Sequence, residues 1–402
     1  MSESKPFMPY GRQTIDQSDI DAVLAVLKSD WLTTGPLVDR FEETAREVTG
    51  ARHALVCSNG TAGLHLATLA LELGPGDALI VPTLTFLATA NCARYVGAEV
   101  IFADVDPDTA LMEPHHLKEA LARAGDLRPV AVAPVHFGGQ VADLAGLSAV
   151  ARTSGLRIME DACHALGGTY AHAGNQVRVG ACADSDLAVF SLHPVKTATM
   201  AEGGIVTTND DRLAERVARL RTHGTIREPS AWSDRNQGFT GETANAWYYE
   251  MPEVGLNYRA SDLHCALGTT QLSRLDQFVA RRAGLVASYD TALASLSPTI
   301  RSAGRRPDQS PGWHLYIALI DFEAMGTTRA AVMAALRQEG IGTQVHYLPV
   351  HRQPYYRERY GHLDLPGADA FYDRCLSLPL FPDMADHDVS RVVQALTRAC
   401  GL

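Results

Sequence analysis

The sequence predicts an α/β fold: a large domain with a mostly parallel seven-stranded sheet flanked by helices, and a smaller α+β domain at the C-terminus. Seven short apolar runs precede residue 210, and helical patterns lie between most of them. Such alternation is typical of a parallel sheet covered on both faces. After Gly255 long helical patterns replace it, so we expect residues 1–275 to form the large domain and 276–402 the small one.

The large domain opens with two helices. Ser18 and Asp19 are typical of a helix start, and apolar residues then repeat at helical spacing up to Leu27. Turn-forming residues at 30–36 end this helix, and a second amphipathic pattern covers 38–45. The strands predicted next are 54–56, 79–81, 100–103, 130–133, 157–159, 187–190 and 205–207, with helices at 63–73, 87–96, 114–124 and 144–153.

The small domain mixes helices with isolated strands. Its predicted elements are helices at 263–275 (leading in from the large domain) and 278–296, a polar Pro/Gly-rich stretch at 302–312, a strand at 313–317, and helices at 329–339 and 389–397. Helices and strands in no regular alternation are typical of an α+β arrangement.

Composition and charge narrow the class of protein. A formal net charge of −11 argues against a nucleic-acid surface, which would carry clustered positive charge. The seven cysteines form no C-x-x-C pair, which fits reduced thiols better than disulfides. Residues 1–7 lack the apolar core of a signal peptide, and no run approaches the length of a membrane span. We therefore expect a soluble cytoplasmic protein that binds neither nucleic acid nor membrane.

Lys196 is the first candidate catalytic residue. It follows the predicted strand at 187–190 and lies three residues after His193. A lysine attacks an aldehyde only when its amine is neutral, so its pKa must fall from about 10.4. Burial beside positive or apolar neighbours has that effect. A lone lysine is more often a solvated surface residue, so the interpretation depends on its partners.

Asp161 and His164 are the candidate catalytic partners. Asp161 follows the apolar run at 156–159, and we expect its carboxylate to point into a cleft. A carboxylate beside a pyridine nitrogen keeps that nitrogen protonated, so the ring can accept electrons. The alternative is a helix N-cap, a common role for Asp after a strand. If the segment turns helically, His164 lies on the same face, beside the ring; alone, it would more often be a structural histidine.

A turn of small residues at 59–63 is the candidate phosphate site. It opens a predicted helix, where backbone N–H groups and the positive helix end attract an anion. We expect Gly60, Thr61 and Ala62 to bind the phosphate, with the hydroxyl of Ser191 beside them. Small residues also serve ordinary tight turns, so this signal is weak by itself.

Phe86 is the candidate to stack on an aromatic ring, although a lone aromatic residue more often packs in a core. Thr61, Asp161 and Ser191 all lie just past predicted strand ends, where ligands of parallel sheets collect. Pyridoxal phosphate (PLP) needs three groups: a lysine for its aldehyde, an acid for its ring nitrogen and hydrogen-bond donors for its phosphate. The sequence therefore predicts a PLP enzyme.

Motifs along nearly the whole chain match one family. They are Pro9-Tyr10-Gly11-Arg12-Gln13, Ser29-Asp30-Trp31-Leu32-Thr33-Thr34-Gly35-Pro36, Ser58-Asn59-Gly60-Thr61, Glu160-Asp161-Ala162, Phe190-Ser191, Glu202-Gly203-Gly204, Leu256-Asn257-Tyr258-Arg259 and Gln344-Val345-His346-Tyr347. With them the chain resembles the DegT/DnrJ/EryC1/StrS sugar aminotransferases. The resemblance implies the aspartate aminotransferase-like fold (PLP fold type I), with Lys196 bound to PLP, Asp161 on its ring nitrogen and His164 beside the ring.

The resemblance also implies an assembly and a chemistry. Thr61, Ala62 and Ser191 would hold the phosphate, and Asn257 would reach the phosphate of the other subunit, so the active site would require a homodimer. A dehydratase branch of the family has histidine in place of the lysine; here Lys196 favours transamination. Candidates for substrate binding, by motif position, are Trp31, His223, Arg259 and Tyr347. Interface or core packing is the alternative for each of these four.

Within this family the chain resembles the branch that acts in pseudaminic acid biosynthesis. The resemblance lies in segments 191–196, 247–251 and 346–356. This closer resemblance implies amino transfer from L-glutamate to C4 of a UDP-4-keto-6-deoxy-N-acetyl-hexosamine, which forms UDP-4-amino-4,6-dideoxy-L-AltNAc. The sequence departs from the pattern of this branch at two places. It has Leu192 where Phe is usual, and it has residues 197–201 where a Pro-containing run is usual.

Three alternatives remain open: another nucleotide sugar, such as a dTDP-4-keto-6-deoxyhexose or a 3-keto sugar; a PLP-binding regulator without turnover; and a zinc enzyme. The zinc enzyme is the weakest, because no H-E-x-x-H or paired Cys/His spacing accompanies the fifteen histidines. We therefore expect no metal site.

Overall fold

The computed structural model describes residues 6–296 and 298–402, so residues 1–5 of the N-terminal segment lie outside the described residues. The α-helices are α1 (Gln17–Leu27), α2 (Pro36–Thr49), α3 (Gly60–Ala70), α4 (Leu87–Tyr95), α5 (Pro114–Ala122), α6 (Leu144–Thr153), α7 (Asp211–Leu220), α8 (Arg235–Gly238), α9 (Asp262–Ser273), α10 (Leu275–Leu293), α11 (Arg329–Gln338), α12 (Pro354–Tyr360), α13 (Pro366–Arg374) and α14 (Asp386–Ala399). The strands are β1 (His53–Cys57), β2 (Asp77–Pro82), β3 (Glu99–Ala103), β4 (Arg128–Val132), β5 (Arg157–Asp161), β6 (Thr169–His172), β7 (Asn175–Arg178), β8 (Leu187–Ser191), β9 (Gly204–Thr208), β10 (Phe239–Thr240), β11 (Thr243–Ala244), β12 (Ile300–Ser302), β13 (Gln309–Ser310), β14 (Tyr316–Ile320) and β15 (Cys375–Leu378).

Seven strands form the central sheet, in the order β1-β9-β8-β5-β4-β2-β3. Strand β9 runs antiparallel to β1 and β8, and the other neighbouring strands are parallel. All seven predicted strands are present, and the α/β fold with a mostly parallel sheet is confirmed. The apolar runs form strands because they are short and lie between covering helices; β2, for example, is buried along its whole length.

Side chains of the central sheet enter two apolar layers. Leu187 and Val189 of β8 belong to the largest hydrophobic cluster, which includes residues of α3 to α7, whereas Ala188 and Phe190 belong to a second cluster with α2 and α9. Successive side chains of a strand point to opposite faces, so helices cover the sheet on both sides. In the described part of the chain, no helix combines the length and apolar character needed to cross a membrane.

The C-terminal region contains an antiparallel sheet, β12-β14-β15, which shares an apolar cluster with α10, α11 and α14. The strand predicted at 313–317 was misplaced, because β14 begins at Tyr316. The N–H groups of His314 and Leu315 both donate to the carbonyl of Gly138, at 3.0 and 3.2 Å, so this stretch joins a loop of the large domain before the strand starts. The domain boundary at 275 coincides with the start of α10 and stays a prediction.

Candidate active site

A cavity of about 1020 Å³ lies at the carboxyl ends of the parallel strands. The sequence-predicted residues that line it are Gly60, Thr61, Ala62, Phe86, Asp161, His164, Ser191, Lys196 and Tyr347. Lining residues that the sequence analysis missed include Tyr10, Thr85, Thr89, Cys163, His314 and His346. These come from segments far apart in the sequence, so no local spacing marks them as members of one site.

The amine of Lys196 lies inside this cavity, next to a histidine from the C-terminal region. Its Nζ is 3.4 Å from Nε2 of His314. Burial lowers the pKa of Lys196, while the neighbouring Cys163 and Asp161 act in the opposite direction. The backbone around the lysine is held by Arg282, whose buried guanidinium donates to the carbonyls of Leu380 (2.9 Å), His314 (3.3 Å) and Lys196 (3.4 Å).

Asp161 is fixed at the end of β5 by its backbone and by its carboxylate. Its N–H donates to the carbonyl of Pro134 at 2.9 Å, and its own carbonyl accepts from the N–H of His136 at 3.0 Å. Each carboxylate oxygen accepts one hydrogen bond: Oδ1 from the N–H of Cys163 at 3.1 Å, and Oδ2 from the hydroxyl of Thr89 at 2.6 Å. Asp161 therefore presents a buried, oriented carboxylate to the cavity.

His164 is buried and connects the loop after β4 to Tyr347. The N–H of Gly138 donates to Nδ1 of His164 at 3.3 Å, so the proton of the neutral ring is on Nε2. Nε2 lies 3.1 Å from the hydroxyl oxygen of Tyr347 and donates to it. Burial, with further contributions from Lys196 and His346, holds the pKa of His164 well below its usual value, so the ring is neutral. The hydroxyl proton of Tyr347 is then free to point elsewhere.

The turn before α3 has the geometry of an anion site. Helix α3 begins at Gly60, and the first N–H groups of a helix have no partner inside it. The side chain of Asn59 caps the helix and accepts the N–H of Ala62 at 2.8 Å. The backbone of Ala62 is thus already bonded, and Gly60, Thr61 and the hydroxyl of Ser191 are the better placed groups for an anion.

Glycines bring His314 to the lysine by allowing two backbones to touch. Gly139 has φ +109°, and a Cβ there would lie 2.6 Å from the carbonyl oxygen of Gly312. A Cβ on Gly168 would lie 2.8 Å from the nitrogen of Gly312. The segment before β14 is therefore pressed against the loop after β4 at Gly139 and against the stretch before β6 at Gly168. This contact is the reason why a residue 118 positions from Lys196 reaches its amine.

Four predicted residues do not line the cavity of this chain: Asn257, Trp31, His223 and Arg259. Asn257 and His223 are exposed on adjacent segments joined by a bridge between Thr222 and Asn257. Tyr258, the neighbour of Asn257, does line the cavity. Trp31 is 56% exposed, so more than half of its surface is open to another molecule.

Comparison with known proteins decides the family. The model of the DegT/DnrJ/EryC1/StrS aminotransferase family matches residues 13–397. The chain belongs to this family. It is 38% identical over 397 residues to the spore coat polysaccharide biosynthesis protein SpsC of Bacillus subtilis strain 168, a match that covers 97% of this chain and 96% of SpsC.

Solved structures of similar fold extend this result. Helicobacter pylori PseC, an aminotransferase involved in the biosynthesis of pseudoaminic acid, aligns with a TM-score of 0.87 and 25% identity over 98% of this chain and 99% of PseC. DesI, solved in the presence of its TDP-sugar product, aligns with a TM-score of 0.83 and 32% identity over 98% of this chain and 93% of DesI. Other solved neighbours are PLP and PMP forms. The chain is thus a PLP-dependent sugar aminotransferase, and PLP fold type I is confirmed.

The cavity of this member fits the cofactor of its family. A Cβ on residue 60 would lie 2.9 Å from Cβ of Ser191, so only glycine lets the start of α3 approach the end of β8 this closely. The buried amine of Lys196 and the carboxylate of Asp161 line the same space. When PLP is bound, it supplies an electron sink for the carbon that loses or gains the amino group.

Proposed function

We propose that this aminotransferase moves an amino group from L-glutamate to C4 of a UDP-4-keto-6-deoxy-N-acetyl-hexosamine, as in pathways of the pseudaminic acid type. The observation that carries the chemistry is one cavity that holds the buried amine of Lys196, the oriented carboxylate of Asp161 and the free N-terminus of α3. The likeness to PseC and the sequence segments around Lys196 support the choice of sugar.

In this proposal Lys196 binds the cofactor and moves protons. Burial lowers its pKa, which favours the neutral amine, so the released amine would take a proton from Cα of the amino donor and give it to the cofactor. In the second half of the reaction the same amine would take that proton back from the cofactor and give it to C4 of the sugar. With PLP bound, Asp161 would hold a proton on the ring nitrogen, and Phe86, which lines the cavity wall, would pack on the ring.

His164 and Tyr347 act as a pair beside the ring. Because Nε2 of His164 donates to the hydroxyl oxygen of Tyr347, the hydroxyl proton of Tyr347 is available to an oxygen of the cofactor or the substrate. The phosphate would rest on Gly60, Thr61 and Ser191. Of these, Gly60 and Thr61 offer backbone N–H groups at the positive end of α3.

The proposed enzyme is a homodimer in which each subunit completes the other's site. Exposed Asn257 is adjacent to the cavity residue Tyr258 and is the proposed cross-subunit phosphate ligand. The sugar nucleotide is proposed to contact three residues, which are exposed His223, exposed Trp31 and Arg259. The seven cysteines are free, which supports a cytoplasmic location.

A single-turnover spectrum tests the function. The protein is converted to its amino form with glutamate, freed of glutamate, and mixed with UDP-4-keto-6-deoxy-L-AltNAc or with dTDP-4-keto-6-deoxyglucose. We expect the yellow colour of the lysine-bound cofactor to return with the UDP sugar alone. Return with the dTDP sugar alone would move the enzyme to the substrate class of DesI, which was solved with a TDP-sugar. A colour that glutamate never bleaches would favour a regulator without turnover.

A further inference from the structure

Two threonine hydroxyls form a buried chain that ends on Asp161. The hydroxyl oxygens of Thr85 and Thr89 lie 2.7 Å apart, and Thr89 Oγ1 lies 2.6 Å from Oδ2 of Asp161. Thr85 is 1% exposed and Thr89 is fully buried. Neither residue carries a recognisable sequence signal, because threonine in a loop and in a helix is ordinary.

The direction of this chain follows from proton counting. An ionised carboxylate only accepts hydrogen bonds, so Thr89 donates its single hydroxyl proton to Asp161. The oxygen of Thr89 then accepts the hydroxyl proton of Thr85. Hydrogen bonds in series polarise one another, and this effect is strongest in a buried setting. Thr85 therefore strengthens the bond that Thr89 makes to the carboxylate.

The chain belongs to the same short segment as Phe86. Phe86 occupies the N-cap of α4, its carbonyl accepts the N–H of Thr89 at 3.2 Å, and its ring lines the cavity. Segment 85–89 thus contributes Phe86 and other residues to the cavity wall, and it holds Asp161 through Thr89. With Cys163 on Oδ1 and Thr89 on Oδ2, the carboxylate is held by one donor on each oxygen.

We propose that Thr89, supported by Thr85, is a positioning residue that fixes the carboxylate of Asp161 and sets how firmly Asp161 keeps a proton on the ring nitrogen of the cofactor. This inference rests on the role of Asp161 in the proposed function. Without the donor, Oδ2 loses its partner in a buried site, and the carboxylate turns toward other donors.

Thr89→Val removes the hydroxyl at nearly constant volume, and Thr89→Ser keeps it. The matched control is Thr49→Val, because Thr49 is also fully buried in a helix and its hydroxyl bonds only to the carbonyl of Ala45. The readouts are the dissociation constant of PLP from the apoprotein and the pH titration of the absorption band of the lysine-bound cofactor. Neither readout depends on the sugar substrate.

For Thr89→Val we expect PLP to bind about tenfold more weakly, the typical effect of one lost hydrogen bond to a charged group. We also expect the titration midpoint of the band to move up by about one pH unit, because the positive charge on the ring is kept less firmly. Thr89→Ser and Thr49→Val should stay within about twofold of wild type in PLP binding. Equal titration curves and PLP affinities for Thr89→Val, Thr89→Ser and wild type would overturn the proposal.

A second variant tests the proposal if Thr89→Val does not fold. If Thr89→Val is insoluble, Thr85→Val removes the outer hydroxyl only, and a smaller upward shift of the same midpoint supports the chain. No shift in a folded Thr85→Val protein would overturn it. Asp161→Asn tests the proposed function separately from the role of Thr89. Normal PLP binding and an unchanged absorption band in that variant would show that Asp161 does not act on the cofactor.

Discussion

Three buried histidines line the same cavity as Lys196. His164, His314 and His346 are all buried, and burial lowers the pKa of each, to about 3 for His346. None of the three supplies a full positive charge near pH 7, so desolvation is what lowers the pKa of Lys196. Of the two causes expected from the sequence, a positive neighbour or burial, burial is the one that lowers the pKa of Lys196 in the structure.

Lys196→Ala should abolish turnover and keep the fold. We expect the rate of amino transfer to fall by at least about 10³-fold, since in the proposed function this one residue binds the cofactor and moves the protons. Activity with glutamate and the sugar nucleotide, and the melting temperature, are the measurements. Exposed Lys118 provides the matched control as Lys118→Ala, which should leave both unchanged. Appreciable turnover in Lys196→Ala would contradict the assignment.

The buried histidines should make the apoprotein less stable in mild acid. An unfolded histidine binds a proton near pH 6.5, whereas His314 in the fold does not, so the unfolded state binds more protons as the pH falls below 6.5. Each such histidine then lowers the free energy of unfolding by about 1.4 kcal/mol in total between pH 7.5 and 5.5, with the slope steepening as the pH falls. Urea unfolding between pH 7.5 and 5.5 measures this slope.

Two histidine variants isolate the contribution of one ring. His314→Gln should reduce the loss of stability between pH 7.5 and 5.5 by about 1.4 kcal/mol in total, because one titrating group is gone. His387→Gln should not change it, since the His387 side chain is 83% exposed. The same slope in His314→Gln and wild type would show that His314 titrates normally in the folded protein.

At the scale of elements, the site depends on loops pressed together at glycines. The loop after β4 meets the segment before β14 at Gly139 and Gly312. This contact sets the position of His314 on one side, and Gly138 fixes the tautomer of His164 on the other. A small change in either loop is therefore transmitted to both histidines.

Gly139→Ala should damage stability and activity together. The residue has φ +109°, and the added Cβ would meet the Gly312 carbonyl oxygen at 2.6 Å, so we expect a loss of at least about 2 kcal/mol in the free energy of unfolding. Gly155→Ala is the control, because Gly155 has φ +70° with nothing within 4 Å of the added carbon. That change should cost about 1 kcal/mol and leave activity intact. Equal effects in both variants would argue against the backbone contact.

Sequence reasoning found the elements that depend on local pattern. The seven strands were predictable because each is a short apolar run, and the places of Lys196 and Asp161 at the cavity because each residue follows such a run. The roles of these two residues stay predictions. His314 was missed as a site residue because its stretch pairs with Gly138 instead of a strand, which no local pattern encodes. Thr89 was missed because its role exists only where α4 packs against the end of β5.

At the scale of the whole molecule, the proposed dimer explains where the remaining predicted residues lie. Asn257 and His223 are exposed on adjacent segments, and Trp31 is more than half exposed. In one chain these positions contribute nothing to the cavity walls. If they serve the partner subunit, then each cavity takes the lysine from one chain and Asn257 from the other.

Mixed dimers test this arrangement. Asn257→Ala should weaken PLP retention, and Lys196→Ala should be inactive. When the two variants are unfolded together and refolded, a mixed dimer has one site with both residues intact. We expect about a quarter of the wild-type activity at limiting PLP, the statistical share for random pairing. No recovery on mixing would place Asn257 in its own subunit's site or outside any site.

The burial of the Arg282 guanidinium has a consequence for how the protein unfolds. It is buried and donates to carbonyls of Lys196 on one side of residue 275 and of His314 and Leu380 on the other. Arg282 lies on the same side of residue 275 as His314 and Leu380, so detachment of the C-terminal part would separate its guanidinium from one acceptor, the carbonyl of Lys196, and open the surroundings of a buried charge. The same event would release the backbone of Lys196, so we expect the cavity to lose its geometry as soon as the two parts separate.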